Sequence, residues 1–293
     1  MLETGRPSST QPVVARTRHR PGWGRWAWRG LWAAVLLVLF VFPFYWVIVT
    51  SLNGANQVFQ FPPPFLPHWV WFNYRWAWSA APWLHYFLNT VFIAGLTTLL
   101  VLITSLFAGY AFGTLRFPGR NVLFLAFLGI MMVPQTVLLV PDYIIMTDIH
   151  WINTYWAQIV PWGASVFGIF LLRQFFLTLP VELREAASLD GATPRRFLWQ
   201  VALPLAKPAL VTIGLYVFLG SWNSFLWPYI MTNGPAVQPV EVGLATFLGT
   251  NGTNWTGLSA AVVFTTLPVM ILFLMAQRQF MEGASSAAQG LKG

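Results

Sequence analysis

Residues 31–49, LWAAVLLVLFVFPFYWVIV, run for nineteen positions without a charge or an amide, and their only side-chain hydroxyl is that of Tyr45. A helix needs roughly 20 mostly apolar residues to cross a hydrocarbon core of about 30 Å, and this run meets that length. Barrel strands are the competing membrane solution, but they read as alternating segments of about ten residues, and here the apolarity is continuous. The segment predicts a membrane-spanning helix at about 30–50. A cleavable leader is the other reading of a basic tail followed by an apolar run. This run exceeds the usual leader core of about 7–15 residues and no small-x-small site follows it, so a retained anchor is expected.

Outward from this segment the same pattern repeats. The 24 charged residues leave six charge-free stretches of 20 or more positions: 30–74, 76–115, 121–141, 149–172, 208–240 and 242–277. One apolar run stands out in each, which predicts spans at about 30–50, 87–111, 121–141, 155–176, 208–230 and 256–277. Only 8% of the 293 residues are Asp, Glu, Lys or Arg, while 57% are apolar, and the mean hydropathy is +0.62. A soluble surface cannot be made from that composition, so lipid must cover the surplus. The expected organisation is a basic tail at 1–29, a six-span domain at 30–277 and a second tail at 278–293.

An even number of spans puts both termini on one side, and the basic residues say which. With the termini cytoplasmic, fifteen of the sixteen Lys and Arg fall inside and only Arg75 lies outside, beside Asp142, Asp148 and Glu241. The net charge of +8 therefore reports topology and attraction to anionic headgroups, and nucleic acid is not an expected partner.

The spans carry no Asp, Glu, Lys or Arg through their centres, which argues against proton relays and ion coupling. Enzymatic constellations are missing too. The four His are scattered, no G-x-S-x-G or H-E-x-x-H occurs, neither Lys sits in a phosphate-binding loop, and Cys is absent. Neither a catalytic residue nor a metal site is expected, and no cofactor is expected on this chain. What the spans do contain is Pro43, Pro134, Pro161, Pro228 and Pro268, with Thr97, Thr98, Thr104, Gln135, Thr136, Thr265 and Thr266. Hydrogen bonding between or along helices accounts for most such Thr residues. Trp222, Asn223 and Ser224 differ, because they form a consecutive polar-aromatic break and are candidates for lining a solute path. Outside, residues 51–85 hold four Pro between 62 and 67 and five Trp, an irregular cap whose aromatic rings fit either a headgroup belt or sugar stacking.

The loop at 178–207, TLPVELREAASLDGATPRRFLWQVALPLAK, is too long for a simple connector. Pro180 opens a short helix, Asp190 and Gly191 end it, and Thr193 with Pro194 starts a second, which Pro204 is expected to stop. Such a hairpin is either a docking surface or an interfacial pair lying on the membrane. Glu185-Ala186-Ala187, three residues, Gly191, nine residues, Val201, one residue and Leu203-Pro204 resembles the EAA-x3-G-x9-I-x-LP pattern of the inner-membrane permease subunits of ABC importers. PFYWVIVTSL, FLNTVFIAG, PDYIIMTDIHWINTYWA, FGIFLLRQFF, SWNSFLWP and WTGLSAAVVFTTLPVMILFLMAQRQFMEG extend the likeness from about residue 30 to the C-terminus. They are similar to the carbohydrate branch, specifically the second permease of a maltose-type pair.

That resemblance implies an all-α, type I importer permease in the cell inner membrane, importing a sugar or oligosaccharide. Its partners would be a second permease subunit, two ATP-binding cassette subunits that carry ATP and Mg, and an external solute-binding protein. It further implies that Glu185, Ala186, Ala187, Asp190, Gly191, Leu203 and Pro204 form the coupling surface for the ATPase, and that Gly283, Lys292 and Gly293 belong to a tail approaching it. A polyol or glycerol phosphate is the alternative cargo, and a stand-alone facilitator the alternative class.

Overall fold

The computed structural model describes the backbone of residues 23–249 and 252–289 and the side chains of residues 28–249 and 252–275. The chain divides into two compact units, residues 1–46 and 47–293. The expected basic tail falls mostly outside the described residues, and so do Lys292 and Gly293.

The described part of the first unit is helical. Helix α1 (Trp23–Ser51) begins ahead of the expected boundary at 30 and carries the chain into the second unit. Its side chains from Leu31 to Tyr45 are all exposed, an apolar surface that lipid or another subunit must cover. Pro43 sits inside it without ending it.

The second unit is built from α2 (Phe72–Ser79), α3 (Trp83–Thr114), α4 (Arg120–Ile130), α5 (Gln135–Asp148), α6 (Tyr155–Ile159) and α7 (Val166–Leu177), then α8 (Val181–Leu189), α9 (Pro194–Phe197), α10 (Leu203–Leu205), α11 (Lys207–Trp222), α12 (Leu226–Met231), α13 (Val240–Leu244) and α14 (Trp255–Gln289). A two-residue ladder, β1 (Leu248–Gly249) on β2 (Gly252–Thr253), is the strand structure among the described residues. Four helices are long and apolar enough to cross a membrane: 28–51, 83–114, 155–177 (α6 and α7 with the turn between them) and 255–275. Two bent pairs raise the number to six if each is one span.

Two expected spans are therefore not single helices. The stretch at 121–141 breaks after α4, and α5 leaves at 95°. Met131, Met132 and Val133 bond only three residues back, and Pro134 has no N–H to continue the ladder. The stretch at 208–230 stops at Trp222. There the Asn223 side chain takes the Leu219 carbonyl at 2.8 Å, and Pro228, without an N–H, cannot bond back to Ser224. The segment that pairs with α11 lies before it, 194–205, bent from it by 74°.

Helices α3 and α7 form the most extensive pairing. Ser105, Gly109 and Gly113 recur every fourth residue on α3, facing Gly168, Leu172 and Phe176 at the same spacing on α7. A Cβ on Gly109 would stand 2.7 Å from Leu172 Cβ and 3.2 Å from the Arg173 backbone nitrogen. Small residues let two backbones approach where apolar lipid supplies no hydrophobic drive for association. Around this seam lies a core of Leu106, Tyr110, Leu172, Phe176, Phe197 and Leu198.

At the opposite end, Trp83 is buried under Phe247 and Phe264, its indole N–H donating to Ala77 O at 2.7 Å. The proline-rich segment is closed by Asn53, whose Oδ1 accepts from the His68 backbone, while Asn73 donates to Ser51 O and Asn53 O. Glu241 lies half-buried on α13 and its carboxyl is pushed above the usual range by that burial. The folded state thus holds this proton more tightly than the unfolded chain, and stability falls as pH rises from the ordinary glutamate value through the raised one. We expect thermal midpoints to drop as pH rises above the ordinary glutamate value, and Glu241→Gln to flatten that part of the slope. An unchanged slope in the variant would assign the pH dependence elsewhere.

Candidate functional site

Two regions gather the chemistry. The first is a cavity of about 620 Å³ between α3, α6, the start of α7, and α11 with the break after it. Thr90, Ile93, Thr97 and Val101 contribute one face of α3, at spacings that return to the same side of a helix. Gln158 and Trp162 enter from the α6 end, and Tyr216, Ser221, Asn223 and Ser224 from the other wall. Among the described residues the lining holds no charged side chain. The volume falls inside the range of about 300–1,000 Å³ typical of small-molecule sites.

Several polar groups around the cavity are already occupied. Thr90 Oγ1 donates to Tyr86 O and accepts from the Val240 backbone, Ser165 caps α7 by accepting from Gly168 N, and Asn223 donates to Leu219 O. Two are not. Thr97 Oγ1 and Gln158 Oε1 are fully enclosed without a partner, although Gln158 donates through Nε2 to Val237 O at 2.7 Å. Both side chains are 3% exposed, so neither finds bulk water. A buried acceptor without a donor costs about 1–3 kcal/mol, and its persistence in a cavity wall fits a group kept for a ligand.

Of the three sequence candidates for the solute path, Asn223 and Ser224 line this cavity and Trp222 does not. Trp222 is buried against Phe87 and Phe218 in the neighbouring core. Thr98, Thr104 and Thr265 bond to backbone carbonyls, in agreement with helix glue. Gln158 was missed by sequence reasoning, although an amide inside the apolar run YWAQIV was the available signal.

The second region is the hairpin of α8 and α9. Helix α8 ends as the residues dictate: Gly191 has φ +74, Ala192 N bonds Ala187 O and Gly191 N bonds Ser188 O, which together close a Schellman turn. Thr193 then accepts from Arg196 N, and Pro194 opens α9. Pro204 does not stop the second helix. A π turn at Leu198–Ala202 resets the ladder, and Pro204 falls in the first turn of α10, where its missing N–H needs no acceptor; the break comes at Ala206.

The hairpin is pinned underneath and open on top. Phe197, Leu198 and Ala202 are buried with Leu106, Tyr110 and Phe176; Tyr110 OH donates to Pro194 O at 3.0 Å and Arg184 to Thr114 O at 3.1 Å. Glu185, Ala186, Asp190, Gly191 and Pro204 are exposed, whereas Ala187 and Leu203 pack on the core from its edge. Leu189 stands 90% exposed at the tip.

Comparison with known proteins gives one picture. Residues 105–281 match the model of the family described as binding-protein-dependent transport system inner membrane component. The sn-glycerol-3-phosphate transport system permease protein UgpE of Yersinia pestis is 34% identical over 259 residues, covering 85% of this chain and 91% of that one. The arabinooligosaccharides transport system permease protein AraQ of Halalkalibacterium halodurans is 34% identical over 244 residues, covering 83% and 81%. A solved bacterial ABC transporter involved in the import of the acidic polysaccharide alginate contains a chain of similar fold, with TM-score 0.77 at 23% identity, covering 92% of this chain and 100% of that one.

Proposed function

Because the chain belongs to the family of binding-protein-dependent transport system inner membrane components, we propose that it is the non-catalytic half of an ATP-driven importer that carries a sugar or oligosaccharide across the cell membrane. A second permease subunit completes the path, two ATP-binding cassette subunits bind ATP with Mg and hydrolyse it, and an external binding protein delivers the solute. Both termini face the cytoplasm, which leaves Arg75 as the one basic residue outside.

The observation that carries the cargo is the lining of the large cavity. A neutral polyhydroxyl solute can bond Thr97 Oγ1 and Gln158 Oε1 once these side chains turn toward it, while its apolar ring face rests on Trp162 or Tyr216. Glycerol phosphate, suggested by the name of the Yersinia relative, brings a charge that would need a cation, and the described lining offers none. Coupling runs through the hairpin. Closure of the ATPase pair pushes on Glu185, Ala186, Asp190 and Gly191. Phe197, Leu198 and the bonds from Tyr110 and Arg184 carry that movement to α3 and α7, which also flank the cavity.

Thr97→Val is the cleanest test, because it keeps the shape and removes a hydroxyl that has no partner within the protein. Stability should be unchanged or slightly higher, while the half-saturation concentration for sugar uptake rises about 3–10-fold, the worth of one neutral hydrogen bond. Gln158→Leu should act in the same direction. Competition with labelled sugars, polyols and glycerol phosphate identifies the cargo class, and unchanged uptake kinetics in both variants would remove the cavity from the path.

A further inference from the structure

A second cavity, of about 240 Å³, lies where α3 ends, α4 begins and α7 hands over to α8. Arg116, Arg120 and Arg184 line it, and no described lining residue is acidic. Part of this positive charge serves the fold. Arg184 donates to Thr114 O and Arg120 to Leu115 O at 3.0 Å, so both cap the negative end of the α3 dipole. Each guanidinium has five donors, however, and these bonds use one apiece. A fourth cation stands next to the group. Arg173 precedes the lining residue Phe176 by one turn and lies 4.1 Å over the ring of Phe124, itself one turn after Arg120; its Nε is buried without a partner.

Like charges so placed repel one another, and an anion with several acceptor oxygens would relieve all of them at once. Apolar membrane-crossing helices end at this level: α3 at Thr114 and α7 at Leu177. That is the depth at which lipid phosphates lie, and basic pockets between span ends bind such headgroups. We propose that this cavity binds the phosphate group of an anion, held by Arg116, Arg120 and Arg184, with the headgroup of an anionic phospholipid or free phosphate as its source. The site does not depend on which solute the protein carries.

The test uses the full-length chain, extracted with the subunits that accompany it and placed in nanodiscs of phosphatidylglycerol or of a phosphate-free galactolipid, or kept in detergent with inorganic phosphate. Phosphatidylglycerol should raise the thermal midpoint by about 3–6 °C over the galactolipid. Arg116→Gln with Arg120→Gln should abolish that rise, and the Lys pair should keep part of it. A rise with inorganic phosphate and none with the phospholipid would support the phosphate site and assign it a soluble occupant. Equal midpoints in the two lipids together with no rise in inorganic phosphate overturn the proposal, as does a Gln pair that keeps the lipid effect but sheds its ATPase subunit. If the Gln pair does not fold, native mass spectrometry of the unaltered protein decides. Phosphatidylglycerol retained through detergent exchange in preference to galactolipid, or bound inorganic phosphate, supports the site, and the absence of both overturns it.

Discussion

Gly191→Val should lower uptake at least tenfold while leaving the protein in the membrane and its ATPase partners able to hydrolyse ATP. The reason is conformational rather than steric, since a Cβ at Gly191 would meet nothing within 4 Å. At φ +74 any other residue is strained, by roughly 1–2 kcal/mol for an unbranched side chain and more for Val. The hairpin relieves that strain by opening the Schellman turn and tilting α8 away from α9. The exposed side chains proposed to meet the ATPase then lose register with Phe197 and Leu198, which hold the hairpin to the bundle. Glu185→Lys reverses the charge at the same surface and should uncouple uptake from hydrolysis to a similar degree. Gly119→Val is the control, because it carries a comparable backbone strain at φ +78 in a different loop. Solute uptake and ATPase rate in reconstituted vesicles check all three, and normal uptake in both Gly191→Val and Glu185→Lys would end the coupling assignment.

Gly109→Leu should destabilise the fold by about 2–3 kcal/mol, the cost of forcing methylenes into a closed seam. The atoms around an added Cβ are Leu172 Cβ at 2.7 Å and backbone atoms of Ile169 and Arg173, so no flexible side-chain end can move aside. Even Gly109→Ala should lower the thermal midpoint, against the gain of roughly 1 kcal/mol that Ala brings to a helix interior. Gly95, on the same helix but with nothing within 4 Å of its Cβ position, should show the opposite sign when changed to Ala. Thermal unfolding in detergent separates the two. A Gly109→Ala protein as stable as the original would mean that α3 and α7 can separate without cost.

Trp222 and its neighbours show where sequence reading succeeded and where it stopped. The polar-aromatic interruption at Trp222–Ser224 was legible, but the span was expected to run on to 230 and the helix instead ends at Trp222. That Asn223 and Ser224 face the cavity while Trp222 turns into a core with Phe87 and Phe218 depends on residues more than a hundred positions away. Gln158 is a similar case. As one amide in an apolar run it could be glue or ligand, and its role rests on Val237 taking one end of the amide and nothing taking the other.

Composition and charge spacing alone determined that this is a helical membrane protein, because a chain with 8% charged residues and continuous apolar runs has no other stable environment. Local chemistry also determined the hairpin at 180–197, since Asp190-Gly191 and Thr193-Pro194 satisfy their own backbone groups within a few residues. Tertiary structure decided the rest. The break at Met131–Pro134 turns one expected straight span into a bent pair, and hydropathy cannot register that bend because the run stays apolar on both sides of it. The α3–α7 seam, the unpartnered Thr97 and Gln158, and the arginines gathered from three helix ends are likewise contacts between distant segments. Each depends on which surfaces meet, and only the folded chain decides that.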